Sequence, residues 1–145
     1  MQRLHLNLTV ADLDRSVEFY THLFGSKPTV IKPDYAKWML DDPCVNFAIT
    51  THGEKTGIDH LGLQAEDETE FSTIRSRLNA ADGPILDQPD VTCCYARSTK
   101  AWVHDPDGIA WETFTSLGNS AVYGDGSKET APRILNDAPS SGACC

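Results

Sequence analysis

One repeat constrains this chain more tightly than anything else in it. The stretch His5-Leu6-Asn7-Leu8-Thr9-Val10-Ala11-Asp12 returns as His60-Leu61-Gly62-Leu63-Gln64-Ala65-Glu66-Asp67, with a shared His-Leu-x-Leu-x-(Val/Ala)-x-Asp pattern at an offset of 55 residues. Alternation of apolar with other residues predicts a half-buried strand, and the closing aspartate is placed to cap a following helix. A repeat of this size reads as one supersecondary unit present twice, each copy covering apolar surface that the other cannot bury alone. In both copies the histidine lies on the face opposite the leucines. The two imidazoles are therefore placed equivalently, and they face a shared cavity if the two sheets curl around one.

Asp12 predicts the start of a helix running to Phe24, in which Leu13, Val17, Phe19, Tyr20, Leu23 and Phe24 recur at helical spacing; Gly25 ends it. Strand-like runs follow at 28–32, 36–41 and 45–51, divided by Pro33-Asp34 and Asp42-Pro43 turns. The order then returns, with a strand at 58–65, a helix at 68–79 and strands at 85–93, 97–104 and 109–115. The reading is α+β: two βαβββ modules, residues 1–53 and 57–116, forming one domain over 1–116. From 117 to 145 Gly, Ser, Asn, Asp, Ala and Pro dominate, which predicts a flexible tail ending in Cys144-Cys145.

A formal net charge of −9 over 145 residues argues against nucleic acid and anionic membrane surfaces as partners. No apolar run approaches the roughly 20 residues of a membrane span, and the N-terminus lacks a signal-peptide pattern. Of the five cysteines, four lie in adjacent pairs. A disulfide between neighbours closes a strained small ring, so the expectation is free thiols in a reducing cytoplasm.

His5, His60 and Glu112 offer two imidazoles and a carboxylate for a divalent metal, while Cys93-Cys94 offers a separate soft dithiol. Keeping nitrogen and oxygen donors apart from sulfur donors points to two guests, a first-row metal and a thiophilic substrate. A single histidine is as often an ordinary polar core residue. Equivalent placement in two repeats, with Glu112 in an otherwise apolar-aromatic strand, favours ligation. Adjacent strand residues face opposite sides, so Cys93 and Cys94 cannot both enter one core, and a loop suits a chelating pair better. His22 and His52 read as solvated, and Cys44 as structural. Asp105 and Asp107 belong to the Asp105-Pro106-Asp107-Gly108 turn, and Glu66-Asp67-Glu68 complements a helix dipole. Alternation alone leaves open whether His104 lines the cavity.

These features resemble the vicinal oxygen chelate superfamily of glyoxalases, bleomycin- and fosfomycin-resistance proteins and extradiol dioxygenases. The resemblance rests on His5-Leu6-Asn7-Leu8-Thr9-Val10, on Asp12-Leu13-Asp14-Arg15-Ser16-Val17-Glu18-Phe19-Tyr20, on His60-Leu61-Gly62-Leu63 and on Asp105 through Glu112. It implies a half-open barrel in which the first, fifth and eighth strands supply metal ligands, the places that His5, His60 and Glu112 occupy. Glyoxalase I-like members add a carboxylate from the last strand of the first module; here Ala48 stands in that place. Two histidines and one carboxylate leave coordination positions open, as in non-haem Fe(II) oxygenases.

With Cys93-Cys94, the chain more closely resembles the organoarsenical carbon–arsenic lyases and cadmium-inducible proteins of that superfamily. The resemblance implies Fe(II)- and dioxygen-dependent cleavage of a trivalent organoarsenical held by the two thiols, releasing arsenite. Zinc, nickel or cobalt can also occupy such a centre. Other readings are a glyoxalase-like isomerase or thiol transferase, and a protein that sequesters heavy metals or drugs without turnover. Trp38, Phe47, Tyr95 and Trp102 are candidates to shape the cavity, and the chain is expected to be a monomer or homodimer.

Overall fold

Each strand of the repeat carries polar residues on one face and apolar residues on the other, so a sheet built from it has one face for helices and one for chemistry. The computed structural model describes residues 1–80, 84–93 and 95–119. In chain order the elements are β1 (Arg3–Thr9), α1 (Leu13–Phe24), β2 (Val30–Lys32), β3 (Tyr35–Asp41) and β4 (Cys44–Thr50). The second set is β5 (Gly57–Ala65), α2 (Glu68–Asn79), β6 (Leu86–Cys93), β7 (Ala96–His104) and β8 (Ala110–Asn119). The strands form a single sheet in the order β2-β3-β4-β1-β5-β8-β7-β6. This is the α+β pairing of two βαβββ modules expected from the repeat, in an open, curled sheet.

The modules join where β1 pairs antiparallel with β5, bringing His5 opposite Gly62 and Asn7 opposite His60. On either side the arrangement repeats: β4 runs parallel to β1, and β8 runs parallel to β5. The sheet edges are β2 and β6, yet the turns that follow them touch, since the Tyr95 hydroxyl donates to Asp34 Oδ1 at 2.7 Å. The sheet therefore curls far enough for its two edge hairpins to meet, leaving a concave face between them.

The helices cover the convex face. Asp12 caps α1 by accepting from the Arg15 backbone N–H at 3.0 Å, and Gly25 ends the helix in the left-handed region. Leu13, Val17, Tyr20 and Phe24, spaced four, three and four apart, pack on Trp38, Val45, Phe47 and Ile49. Phe19 and Leu23 also fit the helical spacing read from the sequence, but they point away from this stripe and are 60% and 61% exposed. Asp67 caps α2 in the same way, and Phe71 and Ile74 pack against Ala65 and Ala101. The acidic run before α2 thus supplies its cap, while Glu66 pairs with the N-terminal amine.

The end of the last strand differs from the sequence reading. β8 extends to Asn119, paired with Ala96, so residues 117–119, read as the start of the tail, belong to the sheet. A register shift opposite Arg97 and Ser98, with Gly118 at φ 151°, lets the strand continue. The rest of the expected tail, including Cys144 and Cys145, lies outside the described residues. Among the described residues no helix is long and apolar enough to cross a membrane.

Gly62 is required at the β5–β8 seam. A Cβ there would lie 2.3 Å from the Glu112 carbonyl oxygen, a backbone atom that cannot swing aside. Gly62→Ala is expected to cost about 3 kcal/mol or more of stability as the strands are forced apart. Urea unfolding followed by circular dichroism checks this, and an unchanged midpoint would contradict it.

Candidate metal centre

Period-2 alternation puts His5, Asn7 and Thr9 of β1 on the concave face and leaves Leu6 and Leu8 for the helix side. His60, Glu112 and Phe114 share the concave face. His5, His60 and Glu112 are all buried, at 6%, 8% and 3% exposure. His5 Nε2 and His60 Nε2 are 3.2 Å apart, and both face Glu112 Oε2, at 3.6 and 3.5 Å. They are the group of donors among the described residues whose ligand atoms converge closely enough to share an ion.

The other nitrogen of each ring is already engaged. His5 Nδ1 is 3.0 Å from the Asn46 carbonyl oxygen, and His60 Nδ1 is 2.7 Å from Asp59 Oδ2. In both rings an N–H donated through Nδ1 leaves Nε2 as the ligand atom, the usual outer-shell arrangement of a metal-bound histidine. With donors about 2.1 Å from an ion, these separations subtend roughly 100–120°, the opening of a three-point face. The residues present therefore fit a divalent cation. Asn7 Oδ1, Thr9 Oγ1 and Asn46 Oδ1 are buried without partners, acceptor capacity suited to water or a ligand in the cleft.

Aromatic rings wall the donors. Phe114 meets the His5 ring edge-on at 5.1 Å, and Trp102 meets His60 at 5.0 Å. The Trp102 indole N–H donates to Gln88 Oε1 at 3.0 Å, which fixes the ring. Of the four aromatics proposed to shape the cavity, Trp102 reaches the centre. Trp38 and Phe47 lie instead in the core beneath α1, because their parity on β3 and β4 directs them to the convex face.

Burial pushes the His5 imidazole down to about 4, against the pull of Glu112. Burial acts on His60 in the same direction, but hydrogen bonds to Asp59 and Glu112 outweigh it and raise that imidazole to about 9. Burial also resists ionisation of Glu112; Lys100 and the two imidazoles prevail and hold it below the usual carboxylate range. A proton on His60 thus occupies the place a cation would take.

The other expectations divide. Ala48 lies opposite Asn7 as Glu112 lies opposite Gly62, so the register supports the match of Ala48 with Glu112 and the lack of a second carboxylate there. His52 pairs with Asp34 at 2.6 Å, away from the centre, rather than standing merely solvated. Asp105 Oδ1 accepts from the Asp107 and Ile109 backbone N–H groups and serves its turn, as expected. His104 Nε2 is buried without a partner, and the Cys44 thiol leans on the Gln2 carbonyl. The Cys93 backbone ends β6. The thiols of Cys93 and Cys94 lie outside the described residues, flanked by Tyr95, whose φ is 64°.

Sequence reasoning missed Lys100, which is 6% exposed and paired with Glu112 Oε1. It also missed Asp59 and Asn46. A lysine two residues before Trp102 on the same strand face was the available signal for Lys100, and an aspartate next to His60 for Asp59.

Residues 2–113 match the Glyoxalase/Bleomycin resistance protein/Dioxygenase superfamily, and the chain belongs to it. Within it, the chain is similar to the trivalent organoarsenical cleaving enzyme of Bacillus sp. (strain MD1), 44% identical over 119 residues covering 79% of this chain and 73% of that one. It is also similar to the cadmium-induced protein CadI of Mycobacterium tuberculosis, 32% identical over 127 residues covering 87% and 84%. Among solved structures, an extradiol ring-cleaving dioxygenase from B. fuscum superposes with a TM-score of 0.60 at 16% identity, over 81% of this chain and 33% of that one. That likeness is one of fold.

A cation must displace the His60 proton, so its apparent affinity is expected to rise about tenfold per pH unit from 7 to 9 and then flatten. Competition of Zn(II) between the protein and a chromophoric chelator measures this. Affinity independent of pH over that interval would contradict it.

Proposed function

We propose that this chain cleaves the carbon–arsenic bond of trivalent organoarsenicals, with Fe(II) held by His5, His60 and Glu112 and substrate held by Cys93 and Cys94. The observation that carries the reading is the buried two-histidine, one-carboxylate face, in a chain similar to enzymes named for that cleavage. Fe(II), when bound, supplies a redox-active centre with positions left for dioxygen.

The residues divide the work. Asn46 and Asp59 orient the two imidazoles so that both present Nε2. Trp102 and Phe114 exclude water from the donors and leave an apolar surface beside which an organic substituent can rest. Trivalent arsenic is thiophilic and carries two exchangeable positions. Adjacent thiolates fill both, the second bond forming intramolecularly and gaining from effective concentration. Tyr95 directly follows the pair and is tied to Asp34, which links this end of the β6–β7 hairpin to the first module.

The overall conversion needs no outside electrons: CH3As(OH)2 + O2 gives HCHO + As(OH)3, with the methyl carbon oxidised and dioxygen reduced. A reducing cytoplasm keeps both thiols available for it. Loss of the carboxylate expected at position 48 also separates this site from glyoxalase-type isomerisation with four protein ligands.

The test is anaerobic loading with Fe(II), addition of methylarsenite, then air, with arsenic speciation by chromatography. Arsenite and formaldehyde in equal amounts are expected. Cys93→Ser and Cys94→Ser should each lose arsenical binding while still retaining iron. Stoichiometric arsenical binding without arsenite would instead identify a sequestration protein, and undiminished turnover in both variants would refute the thiols' role.

A further inference from the structure

Lys100 is a buried charged residue of the site that the proposed chemistry does not use. Its ammonium group lies 5.9 Å from the ring centroids of both Trp102 and Phe114, in surroundings that solvate a charge poorly. It donates to Glu112 Oε1, while Glu112 Oε2 is the oxygen that faces both imidazoles. β7–β8 pairing imposes this: Lys100 stands opposite Phe114 and Trp102 opposite Glu112, so Lys100 reaches Glu112 diagonally on the concave face.

A carboxylate binds a cation through one oxygen or through both. We propose that Lys100 is a positioning residue that holds Oε1 out of the metal's coordination sphere, so that Glu112 contributes one oxygen only. The inference rests on the metal reading of His5, His60 and Glu112. Ala48 leaves the first module without a carboxylate at the position equivalent to Glu112, and Lys100 halves the ligand capacity of the carboxylate that remains. Together they keep the protein's share at three donor atoms, leaving the remaining positions to exogenous ligands. Lys100 also adds positive charge next to the ion, which weakens cation binding and favours anionic guests.

Lys100→Met keeps the side-chain length and removes the donor and the charge; Lys100→Leu removes both with a shorter apolar side chain, and Lys100→Arg keeps the donor and the charge. The full-length variants are loaded with Co(II), whose visible absorption reports coordination number, and circular dichroism checks that each is folded. Lys100→Met is expected to lose d–d band intensity as Glu112 becomes two-oxygen. It should also bind Co(II) roughly tenfold or more tightly, because a like charge near the ion has gone. Lys100→Arg should keep the wild-type spectrum. Should Lys100→Met fail to fold, Lys100→Leu carries the same spectral comparison. A wild-type spectrum in the uncharged variant that folds would overturn the inference, whatever its affinity; misfolding of both with rescue by Lys100→Arg would assign Lys100 a purely structural role and overturn it too. Failure of the wild-type chain to bind Co(II) would instead defeat the metal reading itself.

Discussion

The antiparallel pairing of β1 with β5 is the constraint on which the rest of the molecule depends. It joins the two modules, and its register puts Asn7 opposite His60 and His5 opposite Gly62, so the two imidazoles become diagonal neighbours on one face. A slip of one residue would turn every side chain of β1 over, sending His5 toward α1 and Leu6 into the cleft. The convex-side core opposes such a slip: Leu6 and Leu8 pack with Val45, Phe47 and Ile49 under the stripe of α1. The same apolar burial that stabilises the first module therefore fixes the position of a proposed metal ligand.

The concave face departs from an ordinary protein interior. His5, Asn7, Asn46, Gln88, Lys100 and Glu112 are all buried on or beside it. Such a face costs stability unless its charges are paired and its donors satisfied. Some are: Glu112 sits between Lys100 and the imidazoles, and His60 between Asp59 and Glu112. Others, such as Asn7 Oδ1, lack a protein partner. A face built this way is better suited to binding than to folding, and its polar groups gather around one point.

Much of this was legible in the sequence because it depends on local periodicity. Alternation in residues 4–10 and 58–65 sets the histidine face, and Asp12, Gly25 and Asp67 mark helix ends through short-range hydrogen bonds. The repeat itself implies that β1 and β5 are equivalent. What stayed hidden depends on pairing between distant strands. Lys100 looks like any strand lysine until β7 and β8 align and the Trp102 and Phe114 rings enclose it. Trp38 and Phe47 have cavity-like composition but convex-face parity. Phe19 and Leu23 satisfy helical spacing, and only the position of β3 and β4 beneath α1 reveals which stripe is buried. The contact of Tyr95 with Asp34 joins residues 61 apart in sequence, beyond any local pattern.

The central claim is that a cation binds through nitrogen and oxygen at the β1–β5–β8 seam while the thiols remain apart from it. Zinc is the most demanding probe, since it accepts thiolate readily. X-ray absorption at the zinc edge on the full chain with one equivalent of Zn(II) measures this directly. The account predicts a nitrogen/oxygen shell at about 2.0–2.1 Å with two imidazoles and no sulfur. A sulfur shell near about 2.3 Å, or fewer than two imidazoles, would contradict it.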